Sequence, residues 1–312
     1  MSLRIYVRKI LGRKGTFFLR NVLSTITIGL RLIETADKLD KKEGITAMVC
    51  TYNDPDWIEP SLVSIKDLVN EYLVIDSSTD ETPDIIKSVG ETYGLNIRLY
   101  RIPPGDLVAA RNLVLEKTSY KWILHWDIDF VAKPELIDFI KNLLNELNPK
   151  YYYLIYWPHI QFCGDLSHLC NQVYHVEHWL FTWSPKLYYK WLGRYDSLIA
   201  PIYMYKAIYI DKPLSLHLRS VRNPVRLAFK HLWWRFREEF NKLAGRNIDL
   251  MEYARKKALE VYNTDDLEEL GKRLIEKQVS TLKEYDTRVY GEYPKILLDY
   301  LRKKKWLYLI SE

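Results

Sequence analysis

With 312 residues, 48% of them hydrophobic and 28% charged, the chain is long enough for one large globular domain with appendages and too apolar for a disordered one. A formal net charge of +6 and 14% aromatic residues favour an anionic partner or a surface that meets sugars, membranes or nucleic acid, without choosing among them. Three cysteines (Cys50, Cys163, Cys170) offer no paired framework, so free thiols in a reducing, cytoplasmic compartment are expected.

Residues 1–43 read as a basic amphipathic segment. Arg4, Arg8, Lys9, Arg13, Lys14 and Arg20 alternate with apolar residues such as Ile5, Ile10, Phe17 and Phe18, and the first acid is Glu34. Such a stretch packs on the domain as a helix or lies peripherally on the cytoplasmic face of an anionic membrane; a nucleic-acid arm is a third reading. Arg20 and Arg31 interrupt residues 16–33, which argues against a signal peptide and a spanning helix.

From Gly44 the pattern changes. Residues 45–52, 72–76 and 95–102 are short apolar runs ended by polar turns, and 57–69, 83–93 and 106–117 have helical spacing, with Pro83 in a first turn and Asp106 as an N-cap. A fourth apolar run ends in Trp126-Asp127-Ile128-Asp129. This alternation predicts an α/β domain with a mainly parallel sheet flanked by helices, and ligands of such sheets sit outside the carboxyl ends of the strands. A helix is expected over 134–147, an aromatic strand over 151–157, a polar, His-rich connection over 158–180 and strand-like pieces to about 218. From residue 223 the chain reads as helical. The expected organisation is a segment 1–43, a domain 44–220 and a helical extension 221–312.

Asp127 and Asp129 carry the chemistry. In an extended segment residues i and i+2 point the same way, so both acids should project from one side of a strand end. Two unpaired like charges there repel, and a divalent cation with oxygen ligands would offset the cost.

Region 45–130 resembles the nucleotide-sugar half of a family 2 glycosyltransferase with the Rossmann-like GT-A fold. Thr51-Tyr52-Asn53 follows the first strand as the family's T-x-N segment does, and residues 74–82 (VIDSSTDET) resemble V-D-D-G-S-T-D-x-T, with Ile75 and Ser77 as departures. Ala110-Arg111-Asn112 matches A-R-N, about fifteen residues before the Asp-x-Asp. The resemblance implies a UDP- or GDP-sugar donor and Mn²⁺ or Mg²⁺ as cofactor. It implies Asp129 as metal ligand, Asp127 at the ribose and within reach of the metal, Asp76 at the base or ribose, and Thr51, Tyr52, Asn53, Ser77 and Arg111 around the nucleotide. The acceptor would be a hydroxyl of a glycan, lipid-linked or protein molecule.

The family's usual second-half signatures, Gly-Gly-Phe-Asp-Glu and a later Glu-Asp, are absent. Residues 190–198 (KWLGRYDSL) are instead similar to a segment of the lipopolysaccharide-core branch, with Asp196 in place of its Glu. Asp196 is the expected general base of an inverting reaction, and Glu177 the second candidate. His217 matches a late histidine that completes the metal or diphosphate site, with Arg219 and Arg222 near it. Cys163, His168, Cys170, His175 and His178 lack the spacing of a structural zinc site. The alternative is a non-catalytic protein on a degenerate transferase fold whose basic aromatic helices bind membrane or nucleic acid; for the enzyme, no nucleic-acid partner is expected. Nucleotidyl transfer would call for a Gly-rich phosphate loop near the start of the domain, and none is present.

Overall fold

The computed structural model describes residues 3–104, 106–193, 195–243, 248–306 and 310. In chain order its strands are β1 (Lys42–Thr51), β2 (Glu71–Asp76), β3 (Ile97–Arg101), β4 (Tyr120–His125), β5 (Phe130–Ala132), β6 (Tyr152–Phe162), β7 (His168–Thr182), β8 (Tyr188–Leu192), β9 (Tyr195–Ile199), β10 (Tyr205–Tyr209), β11 (Ser215–His217) and β12 (Lys283–Glu284). Its helices are α1 (Leu3–Gly29), α2 (Ile58–Ser64), α3 (Thr82–Tyr93), α4 (Leu107–Lys117), α5 (Glu135–Glu146), α6 (Pro224–Arg235), α7 (Arg237–Leu243), α8 (Leu250–Tyr262), α9 (Leu267–Val279), α10 (Thr287–Tyr290) and α11 (Lys295–Lys304).

Among the described residues ten strands form one sheet in the order β3-β2-β1-β4-β7-β6-β11-β5, with β10 beside β6 and β12 beside β7. The first four are parallel, as the βα alternation predicts. Beyond β4 the sheet is mixed, because β7 runs antiparallel to both β4 and β6. The architecture is that of a GT-A domain, a curled mixed sheet with helices on its faces. Strand parity explains why both faces are covered. Ala47, Val49, Val74 and Leu124 enter one apolar cluster, while Met48, Leu73, Ile75 and Ile123 enter the other. All of β2 is buried.

Two expectations fail here. Residues 158–180 are not a connection: they span the end of β6, its turn and most of β7, where His175 and Glu177 alternate with Tyr174 and His178 on opposite faces of the strand. Cys163 and Cys170 are not free thiols. They form a disulfide where β6 turns into β7, with Cα atoms 5.0 Å apart, which removes the ground for expecting a reducing compartment.

The helices after β11 build a cluster of their own, with Phe229, Leu232, Phe240 and Leu270 at its centre. Gly271 of α9 lies against the backbone of Pro224, so close that a Cβ there would overlap it, and this sets how near α6 and α9 cross. Helix α11 returns to the sheet domain, where Tyr300 donates to the carbonyl of Asp56 at 2.6 Å. Among the described residues no helix is long and apolar enough to cross a membrane.

Candidate active site

The Asp-x-Asp acids do not sit on a strand. Strand β4 ends at His125, and Asp127 and Asp129 lie in the turn that leads to β5, closed by the Phe130 amide donating to the Asp127 carbonyl at 3.0 Å. Strand alternation therefore does not hold them side by side, and each finds its own cation. Asp127 faces Arg111 at 3.5 Å and His125 at 3.4 Å. Asp129 faces Arg222 at 2.5 Å and His217 at 3.5 Å. Burial pushes the Asp127 carboxyl up, but Arg111 and His125 hold it down at about 2. Burial acts the same way on Asp129, and His217, Arg222 and Lys230 hold it far below the usual carboxylate range. The expected like-charge pair that needs an external ion for relief is thus replaced by two neutralised acids.

Sheet pairing explains the Asp129–His217 approach. Strand β11 lies antiparallel to β5 with His217 opposite Phe130, and the Leu218 amide donates to the Asp129 carbonyl at 2.8 Å. Asp129 Oδ2 and His217 Nε2 are a carboxylate and an imidazole close enough to share one ion, and the buried Nδ1 of His217 has no hydrogen-bond partner. Among the described residues no set of three or more His, Cys, Asp or Glu side chains is arranged to hold a metal. A carboxylate and an imidazole are donors that a divalent cation accepts beside a ligand's phosphate oxygens, but Asp129 Oδ2 is also the oxygen that Arg222 contacts, so a cation here would have to take Oδ1 or displace that guanidinium. Asp127, expected in the same set, turns instead to Arg111 and His125.

Arg111, on α4, joins the two halves of the site. Its guanidinium is buried, contacts His125 and Asp127, and places Nε 2.6 Å from Asp196 Oδ2. Asp196 reaches it from the β8–β9 hairpin, where Trp191 pairs with Asp196. Asn112, next in the A-R-N segment, fastens that hairpin by exchanging hydrogen bonds with the backbone of Tyr189 at 2.7 and 3.0 Å. Glu177 stands on β7 beside His175, at 3.8 Å. Burial raises its carboxyl, while His175 and His178 bring it down to about 2, so it is ionised at neutral pH.

At the end of β2, Asp76 is fully buried, accepts from Thr51 Oγ1 at 2.5 Å and Ser78 Oγ at 2.6 Å, and is ion-paired with Arg101 at 2.9 Å. Ser77 Oγ donates to the Thr51 carbonyl. Asn53 adopts a left-handed conformation (φ 47°), accepts from the Thr79 amide at 2.8 Å and ties the β1 corner to the β2 loop, which is turn chemistry. Tyr52 packs its ring against Phe229 and Trp233 of the helical extension. A cavity of about 1220 Å³ opens beside this corner, lined by Asn53, Asp56, Thr79, Asp80, Pro103 and Arg226 among others. It meets the predicted site at Asn53 and does not reach Asp127 or Asp129.

Three features escaped the sequence reading. His125 is the last residue of β4 and meets Asp127 across the start of the turn, an approach that only the turn's geometry creates. His159 is fully buried between Phe130 and Trp179, donates to or accepts from Ser215 through Nδ1 at 3.0 Å, and is held neutral by burial and by neighbouring histidines. The third is a row of cations from the helical extension. Arg222 pairs with both Asp54 and Asp129, Lys230 with Asp54 at 2.6 Å, and Arg226 with Asp56 at 2.8 Å. Arg222 is buried, whereas Lys230 is partly open to solvent at 29% exposure. Arg219, expected with Arg222, has no part in these pairs.

A sequence model described as Glycosyl transferase family 2 matches residues 46–211, just over half of the chain. The SPbeta prophage-derived glycosyltransferase SunS of Bacillus subtilis (strain 168) is 36% identical over 92 residues, which are 29% of this chain and 21% of SunS. The same figures hold for the SunS of Bacillus phage SPbeta, so this chain matches about a fifth of the length of these relatives. Among solved structures, S. aureus TarS 1-349 in complex with UDP has a TM-score of 0.40 at 14% identity, covering 76% of this chain and 70% of that one. TarS 1-349 in complex with UDP-GlcNAc has a TM-score of 0.39 at 14% identity, covering 86% and 84%. The chain belongs to family 2 of the glycosyltransferases.

Proposed function

We propose that the protein transfers a sugar from a nucleotide diphosphate donor, UDP- or GDP-linked, to an acceptor hydroxyl with inversion at the anomeric carbon. The observation that carries this reading is the convergence at one turn: Asp129 with His217, Arg222 and Lys230 on one side, Asp127 with Arg111 and Asp196 on the other. Breaking the bond to a diphosphate leaves negative charge on the leaving group, and fixed cations in a water-poor site stabilise it more than they would in water. Arg222 and Lys230 are placed to do so from the helical extension. Asp129 and His217 would hold Mn²⁺ or Mg²⁺, which supplies Lewis-acid neutralisation of the same diphosphate. Asn53 and Thr79, at the cavity beside the β1 corner, would frame the nucleoside side, with Asp76 and Thr51 buried behind them as its support.

On the acceptor side, Asp196 takes the proton of the attacking hydroxyl. Arg111 orients its carboxylate through Oδ2 and leaves Oδ1 for the proton. Glu177 is the second reading, favoured by its place on β7 beside His175. Loss of a general base costs roughly 100-fold or more in kcat. Asp196→Asn is expected to show that loss with an unchanged donor KM, and Glu177→Gln a far smaller one. The reverse ranking assigns the base to Glu177, and full activity in both variants contradicts base catalysis from this face.

A further inference from the structure

Helix α1 leaves an apolar stripe in water, although Ile28 and half-buried Phe17 face the body. A helix on a globular protein normally buries an apolar stripe and exposes a polar one. Here polar side chains bind α1 to the body. Arg20, 4% exposed, donates to the carbonyls of Ala200 and Pro201, Asn21 exchanges hydrogen bonds with Ala207, Ser24 donates to the Met204 carbonyl and Thr27 to that of Tyr203. The face turned away from the body carries Phe18, Val22, Ile26 and Leu30 at steps of four, exposed by 73%, 38%, 48% and 66%, with Leu32 beyond them at 67%. No charged residue lies between Arg20 and Arg31, and Arg20 is turned inward. Leaving this stripe in water forgoes burial worth about 25 cal/mol per Å², so its occupant must be apolar.

Charge selects the occupant. Residues 1–33 contain seven basic residues and no acid, with exposed Arg13 and Lys14 at one end of the stripe and exposed Arg31 at the other. A second copy of a chain with net charge +6 would meet this face with like charge. Anionic lipid satisfies both requirements, because acyl chains take the stripe and headgroups take the flanking cations. The helix lies in the interface rather than crossing it, since its opposite face is bonded to β10 and the loop before it. Phe17 of α1 also packs on Tyr156, 4.6 Å between ring centroids, and Tyr156 in turn meets His178. The exposed helix therefore touches β6, the strand paired with the one that carries Glu177.

We propose that the outward face of α1 docks on an anionic lipid surface. The test is flotation of the full chain with phosphatidylcholine vesicles, with and without phosphatidylglycerol, at low and high salt. The protein is expected to float with the anionic vesicles at low salt and to remain behind with the neutral ones. Ile26→Glu combined with Leu30→Glu should lower the bound fraction about tenfold while the thermal unfolding midpoint stays at the wild-type value. Phe18→Ser with Val22→Ser removes apolar area without adding charge and should weaken flotation as well, which covers a failure of the first variant to fold. Wild-type protein that does not float with anionic vesicles overturns the proposal. So does flotation that both pairs of substitutions leave unchanged, or a wild-type dimer in sedimentation that they dissolve while vesicles go unbound.

Discussion

Asp54, Asp56, Asp76, Asp127 and Asp129 stand where strands of the parallel half end or turn, whereas Arg222, Arg226 and Lys230, which answer three of them, come from the first helix of the extension and the turn before it. The acids are placed by local rules: an apolar run must end, and the corner after it takes short polar residues. The cations are placed by the packing of one helix on that edge of the sheet, with Gly271 letting α9 press against Pro224 behind them. Arg111 is the exception that belongs to the sheet half throughout, since α4 carries it to Asp127 and the A-R-N segment also secures the Asp196 hairpin. One region thus makes the site's negative charge and part of its compensation, and the other supplies compensation that opening of the extension would withdraw.

The strongest way to break this comparison is Arg111→Ala. It strips Asp127 and Asp196 of a shared, buried partner, and removing one member of such a pair costs about 3–5 kcal/mol. Denaturant unfolding should report that loss together with a collapse of activity, and Arg111→Lys should recover part of the stability without the two-sided contact. A cost below about 1 kcal/mol would mean that the two halves of the site are held by something other than this side chain. Lys230→Met probes the other region and should do less. Arg222 still holds Asp54 and Asp129, and Lys230 is partly exposed, so stability should fall by about 1 kcal/mol or less while the donor KM rises several-fold. Equal stability losses in the two variants would erase the distinction between the regions.

The same division explains what could be read from the sequence. The parallel strands, α3 and α4 follow from apolar periodicity, and Asp106 does cap α4, accepting from the Ala109 amide at 2.9 Å. The nearness of Asp129 and His217 is expected from the family resemblance, and it arises because β11 pairs with β5. Strand β7 was not legible, because a strand with a polar, His-bearing face lacks the apolar signal that marks a buried one. Nor was the Cys163–Cys170 bond, which needs the β6–β7 turn before the two residues face each other. The pairing of Arg222 and Lys230 with Asp54 is a long-range packing result that no local pattern announces. The Asp-x-Asp spacing is plain in the sequence, but its side-chain directions are not, because a turn, not a strand, carries it.

The most direct measurement is the thermal unfolding midpoint with UDP or GDP, in the presence and absence of Mn²⁺, for the wild type and for His217→Asn. A ligand at about 100 times its Kd adds about 2.7 kcal/mol to stability. Nucleotide and metal together should therefore raise the wild-type midpoint more than the sum of either alone, and His217→Asn should lose that joint increment. If neither nucleotide moves the wild-type midpoint with Mn²⁺ present, the assignment of Asp129, His217 and their cations to a nucleotide diphosphate is contradicted.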